Sequence, residues 1–322
     1  MLTRRDTLVG GLCALAFPHI EAALAAQLSY ALSAFEVAPN TYVVIGKREY
    51  FTMANGGDIV NVAFIDTQDG AVVIDTGSSK RYGLALRQLV ERTVGKDIVR
   101  VYNTHHHPDH FLGNQAFDPS AIASTEQVSK NIKSEGEMLA ENLYRLLGDW
   151  MRGTHAVAPS VVVAEGEEKF GGHRFELIEL KGHTSSDLAI LDKNTGTLFA
   201  GDLAFLDRAP TTPHANLSDW QESLNALSKV PHKLLIPGHG DPDGEGRAID
   251  QTRDYLAWLS KTFEQALNNG LDMTEVMSVP IPKRFESVAL ARKELERSVS
   301  HLYPRLEDRL LPYIGQGESQ GL

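Results

Sequence analysis

The segment 98–110 sets the strongest condition on any fold: the apolar run Ile98-Val99-Arg100-Val101-Tyr102-Asn103 ends in Thr104-His105-His106-His107-Pro108-Asp109-His110. Four metal-capable side chains, His105, His107, Asp109 and His110, fall within six positions. Imidazole and carboxylate suit zinc and its neighbours in the first transition row, so a metal site is expected where this strand ends. Side chains alternate along an extended segment, so His105 and His107 share a direction and His106 points elsewhere, as a packed or supporting residue. Pro108 turns the chain, which lets Asp109 and His110 address a second metal beside the first.

Four ligands do not close a two-metal site, and three later segments supply more. Gly182-His183-Thr184-Ser185 follows the strand-like 176–180, Gly201-Asp202 follows 197–200, and Pro237-Gly238-His239-Gly240 follows 234–236. Each sets a ligand just beyond a buried strand, beside a glycine that permits close backbone approach. Open sheets tend to build sites at such strand ends.

The elements run strand, strand, helix, strand, twice over. Strands are expected at 41–45, 59–66 and 71–75, punctuated by Asn55-Gly56-Gly57 and Asp69-Gly70, then a helix at about 79–94. The second set has strands at 174–180, 188–192, 197–200 and 234–237, with a helix at 218–227 capped by Ser218. Residues 125–152 read as one or two inserted helices, a candidate lid. Residues 247–310 read as mainly helical, with a packing stripe of Tyr255, Leu256, Trp258, Leu259 and Phe263 and a break at Pro280-Ile281-Pro282.

Of the 322 residues 42% are hydrophobic, enough for one large domain with an appended cap. A formal net charge of −11, with no run of Lys and Arg, argues against a nucleic-acid partner and leaves a small-molecule substrate or another protein as the expectation. Thr3-Arg4-Arg5-Asp6, the apolar stretch 8–17 and Ala23-Leu24-Ala25 resemble a twin-arginine signal, so export to the periplasm is expected. That stretch is shorter than the roughly 20 residues of a spanning helix, so no stable membrane span is expected after processing. Cys13, the single cysteine, lies in this segment, which leaves the mature chain without thiol chemistry or disulfides. The expected domains are a signal at 1–26, a metal-binding domain at 27–245 with its insertion at about 125–152, and a helical extension at 246–322.

In this order, H-x-H-x-D-H, G-H-T, G-D and P-G-H-G resemble the signature of the metallo-β-lactamase superfamily over about residues 40–241. The resemblance implies an α+β fold, the αββα sandwich of two mixed β-sheets face to face with helices outside. It implies a binuclear centre with His105, His107 and His183 at one metal, Asp109, His110 and His239 at the other, and Asp202 bridging. Asp75, in Val73-Ile74-Asp75-Thr76-Gly77, would support the site from behind. Asp109 and Asp202 become the catalytic carboxylates and two Zn2+ the cofactor, with iron or manganese as alternatives. A bridging hydroxide becomes the nucleophile, because zinc lowers the pKa of bound water to about 7.

Members that run di-iron redox chemistry resemble H-x-E-x-D, whereas this chain has His107, which favours hydrolysis. Asp202 makes the chain more similar to glyoxalase-II-type thioesterases and lactonases than to the main zinc β-lactamases. Asn55-Gly56-Gly57-Asp58-Ile59-Val60-Asn61, the segment 102–114, Asp207-Arg208-Ala209-Pro210-Thr211-Thr212-Pro213-His214 and Met273-Thr274-Glu275-Val276 resemble the SoxH-related, quinoprotein-associated zinc metallohydrolases. That resemblance implies an exported hydrolase of an ester, thioester or lactone, with a periplasmic quinoprotein as partner. The alternatives are a β-lactamase, a metal-containing accessory protein of a quinoprotein system, and a mononuclear iron persulfide dioxygenase. Trp150 and Arg152, with Asn142 and Tyr144, and the loop residues Arg208 and His214 are candidate substrate contacts. A guanidinium at Arg208 suits a substrate carboxylate. His155, His173, His232 and His301 stand outside the motifs and are not expected at the metals.

Overall fold

The apolar runs on either side of the histidine segment pair into two sheets in a computed structural model, which describes residues 28–310; the signal-like segment 1–26, with Cys13, lies outside them. The first sheet is formed by β1 (Phe35–Ala38), β2 (Thr41–Val44), β3 (Val62–Asp66), β4 (Ala71–Ile74), β5 (Ile98–Tyr102), β6 (Ile122–Ser124) and β7 (Val161–Val162), side by side in chain order. Pairing is antiparallel from β1 to β4 and parallel from β4 to β7. The second sheet holds β8 (Gly166–Phe170), β9 (His173–Leu180), β10 (Asp187–Asp192), β11 (Thr197–Phe205) and β12 (Leu234–His239), antiparallel except for the parallel pair of β11 with β12.

Both sheets are mixed, and their inner faces meet. Val43, Ile65, Ile74 and Tyr102 of the first pack with Phe175, Leu177, Ile190, Phe199 and Ile236 of the second. Each such buried side chain contributes about 1.5–3 kcal/mol of apolar burial. Outside the first sheet lies α1 (Lys80–Val94), whose Tyr82, Leu86 and Val90 cover it and whose first turn is capped by Ser79. Outside the second lie α4 (Leu217–Leu227) and α5 (Arg247–Asn268), which place Trp220, Leu224, Ile249 and Leu256 in one core with Leu198 and Leu203. The expected αββα sandwich is observed, and its outer helical layer continues past residue 245.

Several boundaries differ from the sequence expectation. β3 starts at Val62 because residues 59–61 cross to the other sheet: Asn61 donates its backbone N–H to Gly238 O (2.8 Å) and its side-chain Nδ2 to Pro237 O (2.8 Å) and Gly240 O (2.7 Å). β11 and β12 run on to Phe205 and His239, so Asp202 and His239 lie within strands rather than beyond them. α4 is capped by Asn216, not Ser218; Asn216 Oδ1 accepts the N–H groups of Ser218 and Asp219, which leaves Ser218 inside the first turn. Residues 125–152 give one helix, α3 (Glu126–Leu147), capped by Thr125 and followed by a 3-10 turn at Gly148–Met151. The tail forms α6 (Met273–Met277) and α7 (Ala291–Leu310) besides α5, with Pro304 tolerated inside α7. The short helix α2 (Pro108–Phe111) takes Pro at its first position, where no N–H is needed.

Candidate metal centre

The site is built where β4 and β5 end side by side. Asp75, directly after β4, has φ 61°, a left-handed conformation that costs a non-glycine residue about 1–2 kcal/mol. Three hydrogen bonds hold it there. Its Oδ1 accepts the Thr104 backbone N–H (2.9 Å), and its Oδ2 accepts both the Thr104 hydroxyl (2.8 Å) and His110 Nδ1 (2.7 Å). Strain fixed by a buried network at a cluster of ligands is the usual sign of a functional site.

These bonds decide which nitrogens remain free. The Thr104 hydroxyl hydrogen is committed to Asp75, so its oxygen accepts the N–H of His105 Nδ1 (3.0 Å) and His105 Nε2 keeps its lone pair. His110 donates Nδ1–H to Asp75, and His239 donates Nδ1–H to Ile59 O (2.6 Å), so both present Nε2. His183 Nε2 lies 2.8 Å from His107 Nδ1, and the His183 ring stands edge-on to Trp220.

The free atoms converge on Asp202. Its Oδ2 lies 3.3 Å from His183 Nε2 and 3.8 Å from His105 Nε2. Its Oδ1 lies 3.2 Å from His110 Nε2 and 3.4 Å from His239 Nε2, which is also 3.4 Å from Asp109 Oδ2. Two donor groups result, His105, His107, His183 and Asp202 on one side and Asp109, His110 and His239 on the other, with the donor atoms of each within 4.8 Å of one another and every residue buried. Gly238 makes room for this: a Cβ there would stand 1.9 Å from Asp202 Oδ1.

The electrostatics call for a cation. Asp75, Asp109 and Asp202 are buried, and among the described residues their ion-pair partners are histidines only. Burial lowers His105 and His107 well below the ordinary imidazole range and brings His183 down to about 3, so these rings are neutral donors. Burial opposes charge on His110 too, but Asp202, Asp75 and Asp109 carry it well above its ordinary value, and Asp202 raises His239 against the same opposition. Burial would raise Asp202, yet His239 and His110 hold it well below the usual carboxylate range. His105 Nε2, His110 Nε2 and Asp202 Oδ1 are buried without a hydrogen-bond partner. An all N/O donor set in which three buried carboxylates face only imidazoles as ion-pair partners fits a divalent first-row metal.

The metallo-beta-lactamase superfamily model matches residues 55–239, more than half the chain and every one of these donors. The chain belongs to that superfamily. A probable metallo-hydrolase of Methanocaldococcus jannaschii is 25% identical over 220 residues, 65% of this chain and 91% of its own. A human acyl-coenzyme A thioesterase is 23% identical over 223 residues, 62% of this chain and 80% of its own. The solved metallo-beta-lactamase of Pontibacter korlensis superposes on 70% of this chain and 99% of its own with a TM-score of 0.57 at 20% identity, a likeness of fold.

The residues expected to contact substrate separate. His214 stands at the centre, its Nδ1 2.8 Å from His107 Nε2. Arg208 does not line the mouth: it is buried, 3.6 Å from Glu294 on α7 and bonded to Thr211, because a buried guanidinium needs a carboxylate more than it needs solvent. Trp150 is committed to the loop 50–57, where it lies against Gly56 and Tyr30 and donates Nε1–H to Met53 O (2.9 Å). Arg152 is exposed and paired with Asp149 (2.7 Å), and Asn142 and Tyr144 face outward from α3. His106 is buried against α3, its Nε2 3.6 Å from Glu135, and burial lowers it to about 4. His155 bonds Gln115, His173 bonds Asp192 and His232 faces Val230 O, away from the donors. Sequence reasoning missed Thr104, Glu135 and the carbonyl of Ile59. A hydroxyl between Asp75 and His105 is visible in hindsight from the adjacency of Thr104, but one glutamate on a polar helix carries no signal.

Proposed function

We propose that this protein is an exported binuclear zinc metallohydrolase acting on an ester, thioester or lactone. The observation that carries the reading is Asp202, whose two oxygens each face one donor group. His105, His107 and His183 would hold one ion and Asp109, His110 and His239 the other, with Asp202 shared. Such ions supply Lewis acidity and a water ionised near neutral pH. Asp75 and Thr104 hold the imidazoles of His105 and His110 in the tautomer that faces the ions, and Ile59 O does so for His239. Both oxygens of Asp75 are engaged and Asp202 is shared, so Asp109 is the carboxylate left to take and return a proton.

The thioesterase name carried by the human relative supports a thioester substrate. Export and a quinoprotein partner are supported by the paired Arg4-Arg5 and by the segments quoted above, and among the described residues no helix is long and apolar enough to cross a membrane. The test is zinc content and turnover of purified protein: near two zinc per chain and hydrolysis within a panel of thioesters, esters and lactones, lowered about 10²–10⁴-fold by Asp109→Asn. Full zinc content with no hydrolysis across that panel and β-lactams would overturn the activity. Retention of Arg4→Lys/Arg5→Lys protein in the cytoplasm, and copurification of a quinoprotein with the exported chain, test the remainder.

A further inference from the structure

We propose that His214 and Glu135 are positioning residues that hold the metal ligand His107 through a hydrogen-bond chain running from α3 into the centre. The inference rests on the assignment of His107 as a ligand. His107 Nδ1 faces the donor group, 2.8 Å from His183 Nε2, so Nδ1 is its coordinating atom. A neutral imidazole that coordinates through one nitrogen carries its proton on the other. His107 therefore donates Nε2–H to His214 Nδ1 at 2.8 Å. His214 accepts at Nδ1, so its own proton sits on Nε2, 3.7 Å from Glu135 Oε2.

His106 arrives at the same carboxylate independently. Gln127 donates to Asn131 Oδ1 (2.7 Å), which fixes the amide so that Asn131 Nδ2 faces His106 Nδ1 (3.5 Å) and Ser185 Oγ (2.9 Å). His106 then accepts at Nδ1 and carries its proton on Nε2, 3.6 Å from Glu135 Oε2. Two imidazole N–H groups from different segments aim at one oxygen of the half-buried Glu135, at 3.6 and 3.7 Å, and a displacement of that carboxylate by about 0.5 Å brings either to the upper end of hydrogen-bond length. The nitrogens of His106, His107 and His214 also lie within 4.8 Å of one another, and in this proton assignment they are engaged with one another and with Glu135 rather than turned together onto a further metal. Partners that fix a ligand's tautomer and ring orientation typically change metal affinity 10–100-fold.

The test uses the full mature chain loaded with zinc, and a cobalt-substituted form whose visible absorption reports ligand geometry. His214→Phe should weaken zinc binding about 10–100-fold and alter the cobalt spectrum. His214→Gln, whose amide accepts from His107 and donates to Glu135, should restore both, and Glu135→Ala should move them in the same direction as His214→Phe. Equal zinc affinity and spectra in wild type and His214→Phe would overturn the chain, as would equal defects in the Phe and Gln variants. A zinc beyond two per wild-type chain that His214→Phe removes would make His214 a ligand and overturn it too. Failure of the wild type to take up metal would instead remove the functional reading, and the chain with it.

Discussion

Gly238→Ala is the sharpest probe of the centre, because it adds one methyl group at the point where two strands bring the shared carboxylate into place. Gly238 lies on β12 outside the left-handed region, so alanine meets no backbone penalty and the effect is purely steric. The new Cβ would stand 1.9 Å from Asp202 Oδ1, 2.9 Å from Gly201 C and 3.0 Å from Asp202 N. A carbon–oxygen contact needs about 3.3 Å, so the carboxylate must retreat by roughly 1.4 Å or the strands must part. Oδ1 now sits 3.2 Å from His110 Nε2 and 3.4 Å from His239 Nε2, and metal sites tolerate only about 0.2 Å in ligand distance. Overpacking of this kind costs about 1–3 kcal/mol, or roughly 2–10 °C of Tm for a domain of this size. The expected result is a folded protein whose Tm, measured by calorimetry, falls by the overpacking cost and by what the lost zinc contributed, with less than one tightly held zinc, measured by mass spectrometry of the dialysed chain. Full zinc retention with wild-type turnover would refute the placement of Asp202 between two ions.

Other perturbations test separate links. Chelation should lower Tm by about 10 °C and added zinc should restore it, because three buried carboxylates lose their counter-charge and a ligand at about 1,000 times its Kd contributes roughly 4 kcal/mol; a Tm indifferent to chelator would contradict the electrostatic argument. Thr104→Val removes the hydroxyl between Asp75 and His105 and should lower zinc affinity about 10–100-fold with secondary structure intact by circular dichroism. Arg208→Met leaves the buried Glu294 with only Arg297 (3.8 Å) and the Thr211 hydroxyl (3.1 Å) and should cost less than the roughly 3–5 kcal/mol of a fully broken buried pair in denaturant unfolding, with KM unchanged; an effect on KM alone would return Arg208 to the substrate.

The donors were legible in the sequence because each occupies a position fixed by short-range pattern, at or near the end of an apolar run, with His183, Asp202 and His239 also beside a glycine. Their exact depth was not. Asp202 and His239 lie inside β11 and β12 because parallel pairing continues through Gly201 and Pro237, and pairing is a property of two segments rather than one. The same limit explains the cap at Asn216, which is held by its N–H bond to Gly182 O. The sandwich itself followed from buried strands on both sides of the histidines. The partners of Arg208 and Trp150 were not legible for one reason: an isolated charge or aromatic ring does not reveal its partner, and those partners, Glu294 and the loop 50–57, come from distant segments.

Those distant partners share a purpose in the architecture. The sandwich fixes the inner atoms of the centre through Asp75, Thr104 and Ile59 O. The outer nitrogen of His107 is instead reached from elements added to it. Glu135 and Asn131 come from α3, while α7 ties down the loop that carries His214, through Glu294 to Arg208 and Ser298 to Thr212 (2.6 Å). A shift of either helix would therefore be felt first at His107, the one histidine donor bonded on its outer side to another imidazole, and last at His110, which Asp75 holds from within. Changes in the added helices can then reach the centre through His107 without touching the other donors, since α3 and α7 support its outer side and the ends of the strands carry the donors.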